Sequence, residues 1–213
     1  MLSVMTSSRP LVERKQRQAR LRIIEAAREL FLERGFDAVS VGDIAERAEV
    51  GRTTFFRHFG DKQEVVFANE QELLETIAAA GQADGTAAPR NATEAVEQLR
   101  PVLLALCVQT TADPEAYTRH FQLIEQHPEL RGRDAVKMQQ VADKLSELLI
   151  HRGADEATAR FAAQIALACF QTAKHLGNDP RTLLDETRAA FGRALALGTG
   201  TTSPQAEPLD LPR

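Results

Sequence analysis

The stretch Ser40-Val41-Gly42-Asp43-Ile44-Ala45-Glu46-Arg47-Ala48-Glu49-Val50-Gly51-Arg52-Thr53-Thr54-Phe55-Phe56-Arg57-His58-Phe59-Gly60-Asp61-Lys62 holds two short helical patterns with almost nothing between them. Ser40 is placed to cap the first, with Asp43 three residues on as a capping-box partner. Val41, Ile44, Ala45 and Ala48 form its apolar face, and the pattern stops near Ala48. Glu49-Val50-Gly51 makes a tight connection, and the second helix runs from about Arg52 to His58 before Gly60 closes it. Two short helices joined by so brief a turn predict a helix-turn-helix.

Working outward, Ile23, Ala27, Leu30 and Phe31 recur at helical spacing in Ala19–Arg34, and Gly35 supplies a stop. Downstream, Asp61 is the predicted N-cap of a longer fourth helix, read as continuous to Ala80 and carrying Val65, Val66, Leu73, Leu74 and Ile77. The Gly-, Ala- and Pro-rich segment Gly81–Asn91 reads as a loop. Helical patterns then fill 93–111, 114–127, 129–151, 155–177 and 180–197, broken at Asp113-Pro114, His127-Pro128, Gly153 and Asp179-Pro180, with a kink expected at Pro101. The fold class is therefore all-α: a three-helix domain over 19–62, a larger helical domain over 63–197, and a tail over 198–213 too polar and too rich in Gly, Ser and Pro to order.

The 213 residues include 10 Phe, 1 Tyr and no Trp, and the long stretches rich in Ala, Leu, Glu, Arg and Gln favour helix over sheet. Neither a signal peptide nor an apolar run long enough to span a bilayer occurs, so a cytoplasmic protein with no membrane partner is expected. Cys107 and Cys169 lie in apolar helical patterns and read as core residues rather than a disulfide or zinc motif. The net charge is −4, yet residues 1–62 carry twelve Lys and Arg against nine Asp and Glu, and the excess acid lies entirely beyond them. Arg9, Arg14, Lys15, Arg17, Arg20 and Arg22 against Glu13 mark residues 1–18 and the start of the first helix as a basic, flexible arm suited to phosphate.

On the helical wheel, Phe55, Phe56 and Phe59 fall on the side that packs against Ile44, Ala45, Leu30 and Phe31, and so read as core. Thr53, Thr54, Arg57 and His58 occupy the opposite arc, the surface a helix-turn-helix offers to the major groove. Arg57 has the fork to pair with guanine, and Thr53 a hydroxyl and methyl for a base edge. Arg52 falls on the phenylalanine side, but from the first turn it projects toward DNA. No nucleophile–base pair, phosphate-cradling loop or metal cluster is visible, so neither an enzyme nor a cofactor is expected. His120 and His127 share a helix face but lack a third ligand, and no metal site is read from them.

These residues together resemble the DNA-binding signature of the TetR family: Ile44-Ala45 in the second helix, Val50 in the turn, Thr54-Phe55-Phe56 and His58-Phe59 in the third, and Lys62 opening the fourth. The resemblance implies a DNA-binding transcriptional regulator, a repressor released from its operator by a small-molecule effector. Phosphate contacts would come from Lys62, Thr54, His58, the Ser40 hydroxyl with nearby helix-start amides, and the basic arm. Three residues depart from the family pattern. Glu49 stands where Gly is common, Gly42 where a polar or basic residue often reaches DNA, and Phe56 where Tyr is frequent.

The resemblance also implies a homodimer on a pseudo-palindromic double-stranded operator, because one short helix reads too few base pairs. The interface would lie on the last two long helices, with Phe161, Ile165, Cys169 and Thr172 as a stripe and Ala162, Ala163, Ala166, Ala189, Ala190 and Ala194 permitting close approach. Candidate effector contacts are Leu103, Cys107, Phe121, Ile124, Met138, Phe170, Gln171 and His175, which offer apolar surface with scattered polar groups. The stretch Arg119–Leu130 is similar to regulators that sense acyl-CoA-like molecules, which makes an apolar or acyl-CoA-like effector one expectation. The remaining reading is a helical DNA-binding or adaptor protein whose C-terminal domain only dimerises and binds no ligand.

Overall fold

A computed structural model describes residues 9–82 and 86–199. The described residues form ten helices and no strand: α1 Arg9–Arg34, α2 Val41–Arg47, α3 Arg52–His58, α4 Lys62–Val66, α5 Glu70–Gln82, α6 Ala92–Thr110, α7 Pro114–Gln126, α8 Pro128–His151, α9 Glu156–His175 and α10 Leu183–Thr199. The all-α class read from the sequence is what the chain adopts.

Local chemistry explains most of the boundaries. The N-cap carboxylates of Asp61 and Asp155 accept from the backbone of Glu64 at 2.9 Å and Thr158 at 3.0 Å, and the Asn91 side chain does the same for Glu94 at 2.9 Å. Each satisfies an N–H that the first turn leaves unpaired. Gly35 (φ +78) and Gly153 (φ +97) follow α1 and α8 in the left-handed conformation that releases a helix.

Several boundaries differ from the expectation. Helix α1 begins at Arg9, so the part of the predicted flexible arm from Arg9 to Gln18 is helical, while residues 1–8 lie outside the described residues. The fourth helix is interrupted at Phe67–Asn69. Val65, Phe67, Ala68 and Glu70 are all buried, and at about 100° per residue a straight helix points these four positions around its whole circumference; the break re-aims them. Helix α10 continues through Gly198 and Thr199, where the tail was expected to begin, and the rest of that tail is outside the described residues.

The described residues divide into two compact units, one of residues up to Glu72 together with His120–Gly132, the other of Leu73–Arg119 with residues from Arg133 onward. The expected boundary at residue 62 thus gives way to one ten residues later plus a second, distant segment. In the first unit Ile23, Ala27, Leu30, Ile44, Ala45, Phe55, Phe59 and Val65 make one core cluster, and Phe36, Phe67, Ile124 and Leu130 a second. In the second unit α6, α9 and α10 pack on one another around Leu99, Leu103, Leu145, Leu149 and Phe191. The small residues Ala159, Ala162, Ala163 and Ala166 are buried there within the chain itself. Those of them assigned to a dimer contact by sequence therefore serve the monomer core.

Candidate nucleic-acid interface

Helix α2 starts from a complete capping box. The Asp43 amide donates to Ser40 Oγ at 3.2 Å, and Asp43 Oδ2 accepts from the Ser40 amide at 2.8 Å and from the Ser40 hydroxyl. These donors, with Arg34 nearby, hold the Asp43 carboxyl below the usual carboxylate range. The Ser40 hydroxyl is engaged within the cap, so the phosphate contact expected of it requires giving up the bond to Asp43. Arg47, at the far end of α2, donates to Glu29 at 2.9 Å and to both oxygens of Glu33 at 3.1 and 2.8 Å, which ties α2 to α1.

The turn has the strain that its sequence implied: Glu49 sits at φ 52, in the left-handed region that favours glycine. Its amide and that of Val50 still close the end of α2, donating to Glu46 and Ala45 carbonyls at 3.0 and 2.9 Å.

Helix α3 anchors itself through Phe55, which is fully buried, and Phe59, whose ring lies 5.9 Å from it. Phe56 corrects the sequence reading. It is 54% exposed, meeting Phe55 only edge-on at 5.6 Å. Residues four apart share a helix face whereas adjacent ones diverge by about 100°, so Phe55 and Phe59 take the inner face and Phe56 cannot. Thr53 and Arg57 are exposed as expected; Thr54 and His58 are only half so. The His58 Nε2 is buried without a hydrogen-bond partner, and burial, then Arg57 and Arg20, push its pKa below the ordinary 6.5. The ring stands half-buried on the flank of α3.

Arg52 is exposed and folds back over α2. A Cβ at Gly42 would stand 2.5 Å from an Arg52 guanidinium nitrogen and 3.4 Å from its central carbon. The missing side chain at Gly42 is thus the space in which Arg52 lies, and a cation occupies the surface where residue 42 itself offers none.

Lys62 is engaged within the fold. Its Nζ donates to the carbonyls of Phe36 at 2.8 Å, Val39 at 3.0 Å and Asp37 at 3.4 Å, and lies 4.3 Å from the Phe36 ring centre. An ammonium has three protons, and all are directed at the loop between α1 and α2. In the DNA-free chain it holds that loop. Arg20 is likewise fixed, donating to the Ala68 carbonyl at 2.7 Å and lying 4.6 Å over the Phe59 ring. What α3 presents outward is therefore Arg52, Thr53, Phe56 and Arg57, with Arg14, Lys15 and Arg17 exposed on α1.

The predicted effector contacts do not form one group. Leu103 lies in the core of the second unit, with Met138 and Phe170 packed against that core. Phe121 and Ile124 belong instead to the first unit, beside Phe36, Phe67 and Leu130. Gln171 is half-buried and its carbonyl bonds His175 Nδ1 at 2.6 Å on the exposed side of α9. Cys107 is fully buried with its Sγ 3.5 Å from the hydroxyl of the equally buried Thr187, and burial pushes its thiol pKa up. Sequence reasoning missed the polar residues of the same interior. Tyr117, 4% exposed, donates to Asn178 at 2.5 Å, and Lys174 pairs with Asp134 at 3.4 Å with both side chains largely covered. Each comes from a different helix or loop, and no local pattern announces them.

A capped α2, a brief turn and an α3 anchored by Phe55 and Phe59 define a helix-turn-helix. Residues 23–68 match the family model described as bacterial regulatory proteins, tetR family. The regulator TcmR of Streptomyces glaucescens is 43% identical over 70 residues, which is 33% of this chain and 31% of TcmR. The match therefore spans about a third of that relative's length. The repressor AcnR of Corynebacterium efficiens is 27% identical over 156 residues, 70% of this chain and 79% of AcnR. Among solved structures, FadR of Thermus thermophilus, a TetR-family repressor in complex with lauroyl-CoA, shares the fold with a TM-score of 0.56 at 24% identity, over 88% of this chain and 98% of FadR. Over its helix-turn-helix region the chain is similar to TetR-family transcriptional regulators, and the relatives it matches are regulators. Among the described residues no helix is long and apolar enough to cross a membrane.

Proposed function

We propose that this chain is a cytoplasmic repressor that binds a pseudo-palindromic operator as a homodimer and leaves it when a small molecule binds the second unit. The observation that carries the DNA-binding half is the outer face of α3, where Arg57, Thr53 and Phe56 stand exposed on a helix whose inner face is locked by Phe55 and Phe59. Arg57 reads guanine through its paired N–H groups, Phe56 offers an apolar surface to a thymine methyl, and Arg52 with the exposed cations of α1 takes phosphates. Two copies are needed to reach successive major grooves, about 34–36 Å apart. Exposed Phe161 on α9 and Leu197 on α10 supply apolar surface for pairing.

The effector half is supported by the interior of the second unit. Lys174–Asp134, Tyr117–Asn178 and Cys107–Thr187 put polar groups beside an apolar core, an arrangement common in ligand pockets. FadR of Thermus thermophilus is in complex with lauroyl-CoA, which favours an apolar acyl compound as the first ligand to try. An effector that fits a DNA-incompetent conformation better shifts the population by the difference in its two affinities.

The test is selection of bound fragments from random DNA by the pure protein, followed by gel shifts on the selected sequence. Arg57→Ala is expected to lose about 1–3 kcal/mol of discrimination at one base pair of each half-site while keeping non-specific binding. Selection of no common sequence overturns the operator reading. Retention of the complex across a panel of acyl-CoAs and free fatty acids favours the dimerisation-only alternative.

A further inference from the structure

We infer a site for a divalent transition-metal ion, of the Zn2+ class, formed by Asp37, His127 and Glu129. Asp37 lies in the loop between α1 and α2, His127 in the turn between α7 and α8, and Glu129 in the first turn of α8. One ligand atom from each falls within 4.8 Å of the other two. His127 Nδ1 stands 3.7 Å from Asp37 Oδ1 and 3.7 Å from Glu129 Oε1. That is too long for a hydrogen bond and close to the separation of two ligands on one ion about 2.0–2.2 Å from each. Two carboxylates face one imidazole nitrogen, and a cation among them relieves their mutual repulsion.

The site is also held in place, which is what distinguishes it from a chance surface cluster. The His127 side chain is 15% exposed and its ring packs 4.9 Å from the Phe36 ring, inside the cluster that Phe67, Ile124 and Leu130 complete. Asp37 is attached to the loop that Lys62 grips through the carbonyls of Phe36, Asp37 and Val39. The backbones of two ligands are therefore fixed before any ion arrives, and the solvent-facing carboxylates of Asp37 and Glu129 supply the last adjustment. The Lys62 ammonium is turned toward those carbonyls. One nitrogen and two carboxylate oxygens suit Zn2+ better than Mg2+, which prefers oxygen throughout, and three protein ligands leave a position for water. All three ligands belong to the same compact unit as the helix-turn-helix, so the ion would fasten the loop that enters α2 to the start of α8.

The full chain, freed of metal with a chelator and dialysed, is titrated with ZnCl2 and with MgCl2 at pH 7.5 by calorimetry, and its melting temperature is followed in parallel. One Zn2+ per chain with a rise in melting temperature, and no response to Mg2+, is the expected result. His127→Gln and Glu129→Gln each weaken Zn2+ binding by about tenfold or more. Glu129→Gln, at a half-exposed position, keeps the fold should His127→Gln disturb the Phe36 packing. Absence of saturable binding overturns the site. Binding unchanged in both variants overturns it equally, because the ion then sits on other histidines.

Discussion

Lys62 and Arg57 carry the same charge a few residues apart, but their neighbours give them different work. Lys62 has three carbonyls for its three protons, so Lys62→Met leaves two part-buried acceptors unmatched and is expected to cost about 1 kcal/mol of stability in urea titrations. Operator binding by the folded fraction of that variant should keep its salt dependence, whereas a phosphate-contacting lysine would flatten it. His58 is a different kind of residue again. Burial and two neighbouring arginines depress its pKa in the folded protein, so below about pH 6.5 the unfolded chain takes up a proton before the folded one does. The associated stability is fully present above that pH and declines as the pH falls toward the folded value. Urea midpoints between pH 7.5 and 5 should show this decline, and His58→Gln should reduce its slope; an identical slope in the variant would rule out His58 as its source.

At the scale of elements, the turn between α2 and α3 carries a cost that can be removed. Glu49 at φ 52 adopts a conformation that glycine takes without strain, and its ion pair with Arg22, 3.9 Å long with the Glu49 side chain 86% exposed, offers little in return. Glu49→Gly is expected to raise stability by up to about 1 kcal/mol in thermal or urea unfolding. This strain was legible in the sequence because it depends on one residue and one turn. Ser40, Asp61 and the prolines at 114 and 128 were legible for the same reason, since a cap or a proline acts within a few residues of itself. The break at Phe67–Asn69 was not. It follows from Phe67 packing with Ile124 and Leu130, partners no local pattern can announce. Phe56 sits between these cases: its spacing from Phe55 was visible, but three clustered phenylalanines invited one shared face, and only the pair four apart has it.

At the scale of the molecule, residues 120–132 join the unit that holds the helix-turn-helix, where Phe121 and Ile124 pack with Phe36, Phe67 and Leu130. This regrouping explains why His127 was dismissed as a ligand, since its nearest carboxylate from outside its own segment lies on the α1–α2 loop. Dimerisation was assigned by sequence partly to alanines that turn out to fill the core of α9, whereas Phe161 faces outward at 57% exposed. Phe161→Glu is therefore expected to yield a monomer by light scattering with its melting temperature nearly unchanged, and to weaken operator binding strongly. A dimer of unaltered stability would place the interface elsewhere.

The bond from Lys62 to the Val39 carbonyl joins the residue just after the helix pair to the residue just before it. Chain entry and exit are thereby stitched at a single point, and the intervening segment 40–61 is a closed cassette. Its ends are already at the separation the rest of the domain requires, so the exposed positions between them can be exchanged to change the operator while Ile44, Ala45, Phe55 and Phe59 keep the core they share with α1.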